Sequence, residues 1–377
     1  MADSILKIRN LSISLPKNAD RDYAVEDVNL DVAKGEILCI VGESGSGKSV
    51  MTSAILNDVP ETLNITSGSV EFDNQDILQL SQLQLNKLRG ARISMIYQEP
   101  MAALTPSIRV GKQVDEVFAL HSPEIDPNDC KKETLKLLEQ MKLPTPDRIY
   151  SSYAHQVSGG QCQRIVIAMA LACNPDILIA DEPTTALDVT TQAEILRLIS
   201  DLKEVYKNTI IFITHDFGVV TDIADRVVVM CQGKIIEEGL KHEVLMTPKE
   251  PYTKLLVDAM PLLETTRVPD QNRNDVPSVD VNKLHKVYKT RTGEVHALND
   301  ASFVLRNGET LGVVGESGSG KSTLAKTLIR LEEPTSGSVN ISQEDFLSLS
   351  GRGLISCLLY TSPSPRDRTR SRMPSSA

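Results

Sequence analysis

Apolar and polar residues alternate from Leu6 to Ile13, and the continuous apolar run Ile37-Leu-Cys-Ile-Val follows; both read as strands. The next stretch, Lys48 to Asn57, reads as a helix. Further along, Ile177-Leu-Ile-Ala, Thr209-Ile-Ile-Phe-Ile-Thr and Val227-Val-Val-Met are short apolar runs of the kind buried in a parallel sheet. A helical stretch near Thr190 to Tyr206 separates the first two, so an α/β core is expected. Strand signals are weak from Pro100 to Tyr153, whereas Lys131 to Met141 has helical spacing, which predicts a helical insertion over about residues 100–160. Residues 265–279 are polar and include Pro269 and Pro277, and read as a linker.

The pattern before that linker begins again after it. Gly-Glu-Ser-Gly-Ser-Gly-Lys-Ser spans Gly42 to Ser49 and recurs from Gly315 to Ser322, with Lys48 and Lys321 lying 273 positions apart. At the same offset Ala24-Val-Glu-Asp-Val-Asn-Leu aligns with Ala297-Leu-Asn-Asp-Ala-Ser-Phe. Thr66-Ser-Gly-Ser-Val matches Thr335-Ser-Gly-Ser-Val at a slightly shorter offset, a loop-sized deletion. The expected organisation is a first unit over 1–264, the linker, and the opening part of a second unit over 280–354. From 355 to 377 the chain turns Ser-, Pro- and Arg-rich without hydrophobic periodicity; a disordered, non-native end is expected there, with a basic binding tail as the alternative.

Composition narrows the class without naming the chemistry. Of 377 residues 41% are hydrophobic and 24% charged, ordinary for a folded globular chain, and the net charge of -10 argues against nonspecific nucleic-acid binding. The six cysteines show no C-x-x-C pair, so reduced thiols are expected rather than a disulfide framework or zinc site. No run approaches the roughly 20 apolar residues that cross a bilayer.

Both octapeptides fit G-x-x-x-x-G-K-[ST], a loop whose backbone N–H groups face phosphate oxygens at a helix N-terminus. Gly42, Glu43, Ser44, Gly45, Ser46 and Gly47 would form the cradle, Lys48 would neutralise the β- and γ-phosphates, and Ser49 would ligate Mg²⁺. Gly315, Gly318, Gly320, Lys321 and Ser322 are the second set. Ile177-Leu-Ile-Ala-Asp181-Glu182 puts two acids at the end of an apolar strand, where open α/β sheets bind ligands. Asp181 is the expected metal carboxylate, and Glu182 the base or orienting group for an attacking water.

Val157-Ser158-Gly159-Gly160-Gln161 resembles the Leu-Ser-Gly-Gly-Gln signature of the ATP-binding-cassette ATPases, and the resemblance covers the first unit to about Pro261. It implies a P-loop cassette with a parallel core sheet, an antiparallel β subdomain and a helical subdomain, the second cassette being partial. It further implies that Gln98 is the Q-loop glutamine reaching Mg²⁺ and water, that Asp188 belongs to the D-loop at a dimer seam, and that His215 is the switch histidine. ATP and Mg²⁺ are the implied ligands, and each ATP would lie between the P-loop of one unit and the signature of another. The family stacks adenine on an upstream aromatic; Tyr288 fits that place in the second unit. In the first unit the ungapped position is Leu15, and Tyr23 is the nearest aromatic, so either reading stays open.

Tyr97-Gln-Glu-Pro-Met-Ala-Ala-Leu-Thr-Pro, Ala186-Leu-Asp-Val-Thr-Thr-Gln-Ala-Glu-Ile-Leu and Thr247-Pro-Lys-Glu-Pro-Tyr-Thr-Lys-Leu-Leu are similar to the peptide and nickel importer branch of that family. The implied role is to energise import of peptides or peptide-like solutes from the cytoplasmic face of the inner membrane. The implied partners are integral-membrane permease subunits and a periplasmic or extracellular solute-binding protein, with no nucleic acid. Some members carry an iron-sulfur cluster after the Pro-Tyr-Thr segment; no cysteine lies between Cys231 and Cys357 here, so none is expected. The alternatives are a soluble cassette ATPase acting on ribosomes or DNA, or a fragment that only binds nucleotide. The second unit shows no signature, Q-loop, Asp-Glu strand end or switch histidine, so it is expected to be no complete catalyst and to leave sheet and apolar surface unpaired.

Overall fold

The alternation at the start of the chain forms strand β1 (Ser4–Ser14), followed by β2 (Tyr23–Ala33), β3 (Ile37–Val41), helix α1 (Lys48–Ile55), β4 (Asn64–Phe72), β5 (Gln75–Asp76), α2 (Gln82–Leu88) and β6 (Ile93–Ile96). This is a computed structural model, and it describes residues 4–122, 125–126, 129–185, 187–260, 277–290, 293–316, 318–351 and 354. Five helices come next: α3 (Pro100–Ala103), α4 (Val110–His121), α5 (Cys130–Gln140), α6 (Pro146–Ser151) and α7 (Gly159–Leu171). The chain then returns to β7 (Ile177–Asp181), α8 (Val189–Tyr206), β8 (Thr209–Thr214), α9 (Phe217–Ile223), β9 (Arg226–Cys231), β10 (Lys234–Leu240), α10 (Lys241–Met246) and α11 (Pro251–Asp258). These elements lie in the first of two units, Met1–Leu263 and Glu264–Ala377.

Two sheets organise the first unit. One has the order β2-β1-β4-β5 and is antiparallel throughout. The other has the order β10-β9-β3-β8-β7-β6 and is parallel except where β10 pairs with β9. Every residue of β3 and β8 is buried, which explains why those segments are unbroken apolar runs. Successive residues of β3 feed opposite cores. Ile37, Cys39 and Val41 pack with the helical insertion and α8, while Leu38 and Ile40 pack with α1 and the buried face of the antiparallel sheet.

The antiparallel sheet departs from simple alternation. Leu6 and Ile8 are buried, but the register shifts before Leu11 and Ile13 return to the core, with Asn10 at φ 48 taking up the extra residue. The helical insertion extends past the expected 160, because α7 begins at Gly159 and packs its long apolar face into the same core as β6 and β7. No described helix is long and apolar enough to cross a membrane.

In the second unit, β11 (Val279–Thr290), β12 (Gly293–Leu305), β13 (Ser336–Ile341) and β14 (Glu344–Asp345) form an antiparallel sheet of order β12-β11-β13-β14, with α12 (Lys321–Leu328) after its P-loop. A small core of Val281, Leu284, Leu298, Leu324, Val339 and Phe346 holds it together. The repeat equivalent of β3, residues 310–314, forms no strand, and Val314 is 92% exposed. In the first unit that strand is held by β8 and β9 on either side; no such neighbours occur among the described residues of the second. Most of the expected linker, 265–276, and the expected tail, 355–377, lie outside the described residues.

Candidate functional site

The neighbouring parallel strands β3, β8, β7 and β6 end side by side, and each hands over to one of the expected site segments. β3 leads into Gly42 to Ser49, β8 into His215, β7 into Asp181 and Glu182, and β6 into Gln98. Open α/β sheets bind ligands at this carboxyl edge, where the connections diverge on leaving the strands.

The P-loop geometry is fixed by tight backbone packing. Gly47 has φ 103, and a β-carbon there would lie 2.3 Å from the Ala24 carbonyl oxygen. Only glycine can occupy that place while α1 starts at Lys48. The Lys48 ammonium is buried and donates to the Gly42 and Glu43 carbonyl oxygens at 2.7 and 2.8 Å. Burial lowers its pKa, an effect opposed by the negative charges of Glu182 and Asp181. Ser49 Oγ donates to Asp181 Oδ1 at 3.1 Å. Burial raises the Asp181 pKa; the Ser49 hydroxyl opposes this, and the adjacent Glu182 adds to it.

Glu182 sits in the left-handed backbone region at φ 46, and its N–H donates to Ile213 O at 3.0 Å, which ties the turn to β8. Its carboxylate accepts from Gln98 Nε2 at 3.1 Å and Thr185 Oγ1 at 3.0 Å on Oε2, and His215 Nδ1 stands 3.1 Å from Oε1. Three separate strand ends therefore converge on one carboxylate. A cavity beside it is lined by residues from Glu43 to Val50, by Gln98, Glu182, Thr185 and His215, and by Leu15, Arg21 and Ala24.

Ser49, Asp181 and Gln98 offer hard oxygen donors suited to Mg²⁺, which takes few protein ligands beside phosphate and water. No group of three or more His, Cys, Asp or Glu side chains that could hold a metal by themselves occurs among the described residues.

The signature segment is placed elsewhere. Ser158 caps α7, its Oγ accepting from Gln161 N at 3.3 Å while Gln161 Oε1 accepts from Ser158 N at 3.0 Å. Asp188 caps α8 in the same manner, accepting from Thr191 N at 3.0 Å. The two caps are neighbours, since a β-carbon on Gly160 would stand 2.6 Å from Thr191 Cγ2. None of Ser158, Gly159, Gly160, Gln161 or Asp188 lines the P-loop cavity. Tyr23 does not line it either: it opens β2 opposite Ser14, whereas Leu15 and Arg21 reach the lining.

In the second unit Lys321 Nζ repeats the first-unit bonds, donating to Gly315 O at 2.6 Å and Glu316 O at 2.7 Å, but it is only half-buried where Lys48 is buried. Gly318 keeps φ 82, and Gly320, at φ 94, presses on Ala297 O as Gly47 presses on Ala24. Ser322 lies in the first turn of α12. Tyr288 is on β11 opposite Val295, with Lys286 Nζ 4.9 Å from its ring centre.

Three site contacts have no counterpart among the sequence expectations. Thr185 could have been found as the hydroxyl three residues after Glu182. Tyr252, whose hydroxyl accepts from Glu43 N at 3.3 Å, reaches the P-loop from α11 more than two hundred positions away, and no local signal marks that contact. Arg21 lies in a turn-forming loop and donates through Nη2 to Gly45 O.

A family model described as ABC transporter matches residues 25–185 and 298–368. The chain is 39% identical over 407 residues to the glutathione import ATP-binding protein GsiA of Salmonella paratyphi A, covering 96% of this chain and 65% of that protein. It is 39% identical over 389 residues to GsiA of Shigella flexneri, covering 93% and 62%. The chain thus spans somewhat under two thirds of the length of these relatives. Among solved structures, the ATP-binding cassette MJ0796 in a dimeric post-hydrolysis state with ADP and Pi is 31% identical, with TM-score 0.55 and coverage of 63% of this chain and 98% of that one. The cbiO1 protein of Clostridium perfringens, part of the cbiONQ transporter complex, is 28% identical with TM-score 0.55, covering 65% and 92%.

Proposed function

The chain belongs to the ABC transporter family, and on that premise we propose that its first unit binds ATP at Gly42 to Ser49 and hydrolyses it to energise solute import through separate membrane permeases. The observation that carries this reading is the convergence of Gln98, Thr185 and His215 on Glu182 beside the P-loop cavity.

ATP enters with its phosphates along the P-loop. Lys48 exchanges its backbone carbonyl partners for β- and γ-phosphate oxygens, and the α1 N-terminus adds favourable partial charge. Ser49, Asp181 and Gln98 would hold Mg²⁺, which when bound neutralises developing charge on the phosphates. The donors around Glu182 keep its carboxylate aimed, so that it orients an attacking water and accepts its proton as the O–P bond forms and ADP departs. His215 and Gln98 position that carboxylate and line the same cavity as the P-loop.

We place Ser158 to Gln161 and Asp188 at the contact with a second ATPase unit, because both caps lie together and away from the P-loop cavity. A helix start with two glycines offers free N–H groups to a γ-phosphate bound on another unit. The imported solute is read as a peptide or peptide-like compound delivered by an extracytoplasmic binding protein, on the strength of the likeness to glutathione import subunits. Attachment to the inner face of the membrane follows from a role beside permeases. The organisation we favour is a first cassette over 1–264, a linker over 265–279 and part of a second cassette from 280.

Glu182→Gln in the full chain tests the assignment. The expected outcome is a fall in phosphate release of at least a hundredfold with ATP binding retained. Equal phosphate release from both proteins would sink it.

A further inference from the structure

Cassette chemistry needs a hold on the nucleotide base as well as on its phosphates, and the first unit has no aromatic ring where one is expected. Leu15 occupies the position 33 residues before Lys48, and Tyr23 begins β2 outside the cavity lining. What the loop between β1 and β2 contributes instead is Arg21. Leu15 N donates to Asp22 O at 2.9 Å and Ala19 N to Pro16 O at 3.1 Å, so the loop doubles back and sets Arg21 beside Leu15 at the cavity wall.

The surroundings of Arg21 are unusual for a surface arginine. Its Nη2 is tethered to Gly45 O of the P-loop, its Nε has no hydrogen-bond partner and is closed off from solvent, and no carboxylate stands within ion-pair distance of it among the described residues. A guanidinium held in this way presents a flat, delocalised, weakly hydrated cation. The acid-base groups of the cavity, Glu182 and His215, and the amide of Gln98 come from the ends of the parallel strands. Leu15, Arg21 and Ala24 come from the antiparallel sheet and its loop and include no general base, which leaves them the unreactive end of the nucleotide.

We propose that the guanidinium plane of Arg21 is the base platform of the first nucleotide pocket, stacking on the purine with Leu15 as apolar support. The proposal rests on the nucleotide-binding reading of that pocket. Stacking between an arginine and an aromatic face draws on the attraction of a cation for a π system and on the burial of two flat surfaces. It requires planarity, which a lysine at the same place does not supply.

Equilibrium binding to the full chain separates this from a phosphate-binding role, with ATP and inorganic tripolyphosphate as probes, the latter having the anionic chain but no base. Arg21→Ala is expected to weaken ATP roughly tenfold, as loss of one stacked base does, while tripolyphosphate binding stays within about twofold. Arg21→Lys is expected to be as weak for ATP as Arg21→Ala, and Leu15→Tyr added to Arg21→Ala is expected to restore it. Unchanged thermal melting of the variants ensures that folded protein is compared. Undiminished ATP binding by Arg21→Ala overturns the proposal, and so does an equal loss for both probes, which would make Arg21 a phosphate ligand. If the wild-type chain binds neither probe, the nucleotide reading itself fails, a result distinct from either of these.

Discussion

At Asp181 the fold holds a carboxylate where burial disfavours its charge, with Glu182 beside it adding repulsion and Ser49 giving partial relief. Such a group serves a ligand at the expense of the empty fold. Asp181→Asn, which keeps an acceptor for the Ser49 hydroxyl, is expected to raise the Tm of the nucleotide-free chain by a few degrees. The same variant should lose the further rise that ATP with Mg²⁺ gives the wild type. An unchanged nucleotide-dependent rise in thermal melts would exclude Asp181 from the metal shell. Asp181 and Glu182 were legible in the sequence because they follow an apolar run that can only be an interior strand. Arg21 was not, since a loop between strands carries no periodicity and its side chain gains meaning only where the turn folds back on the P-loop.

Among the elements, the parallel strands were the most legible, because burial on both faces imposes unbroken apolar runs such as Ile37 to Val41 and Thr209 to Thr214. β10 has no such run, since its central pair Glu237 and Glu238 interrupts the apolar residues. Glu237 has a structural task. Its Oε1 and Oε2 accept from the N–H groups of Lys249 and Glu250 at 2.8 and 3.1 Å, anchoring the start of α11 and with it Tyr252 against the P-loop. Burial pushes its pKa up, but the bonds from those two N–H groups, with the charge of Lys249, outweigh this and hold it below the usual carboxylate range. A depressed folded-state pKa adds stability above the unfolded value that is lost as pH falls through the folded one. Glu237→Gln is therefore expected to cost about 1 to 3 kcal/mol at pH 7. In urea titrations the gap to wild type should close as the pH is taken below 4.5, the ordinary value for this group. A gap that stayed constant with pH would mean that the charge plays no part.

For the whole molecule, repetition of sequence brings only partial repetition of structure: the antiparallel sheet recurs in the same order, the parallel strand does not. The second P-loop keeps the Lys321 bonds and the Gly320 contact, which are local, but residues 310–314 lack the strand form of their counterpart, whose neighbours β8 and β9 are supplied from far along the chain. Local geometry was legible from the octapeptide alone; the sheet was not, because a parallel strand exists only with its partners. The first unit accordingly carries the residues proposed for hydrolysis, and its signature-like segment and Asp188 are set apart from its own P-loop cavity. Hydrolysis on Lys48 should then require a signature from another molecule. The most direct measurement is phosphate release per mole of full chain as its concentration is raised at saturating ATP and Mg²⁺. Specific activity is expected to be very low when dilute and to climb toward a plateau as first units pair; substantial activity that stays the same at every concentration would contradict that mechanism.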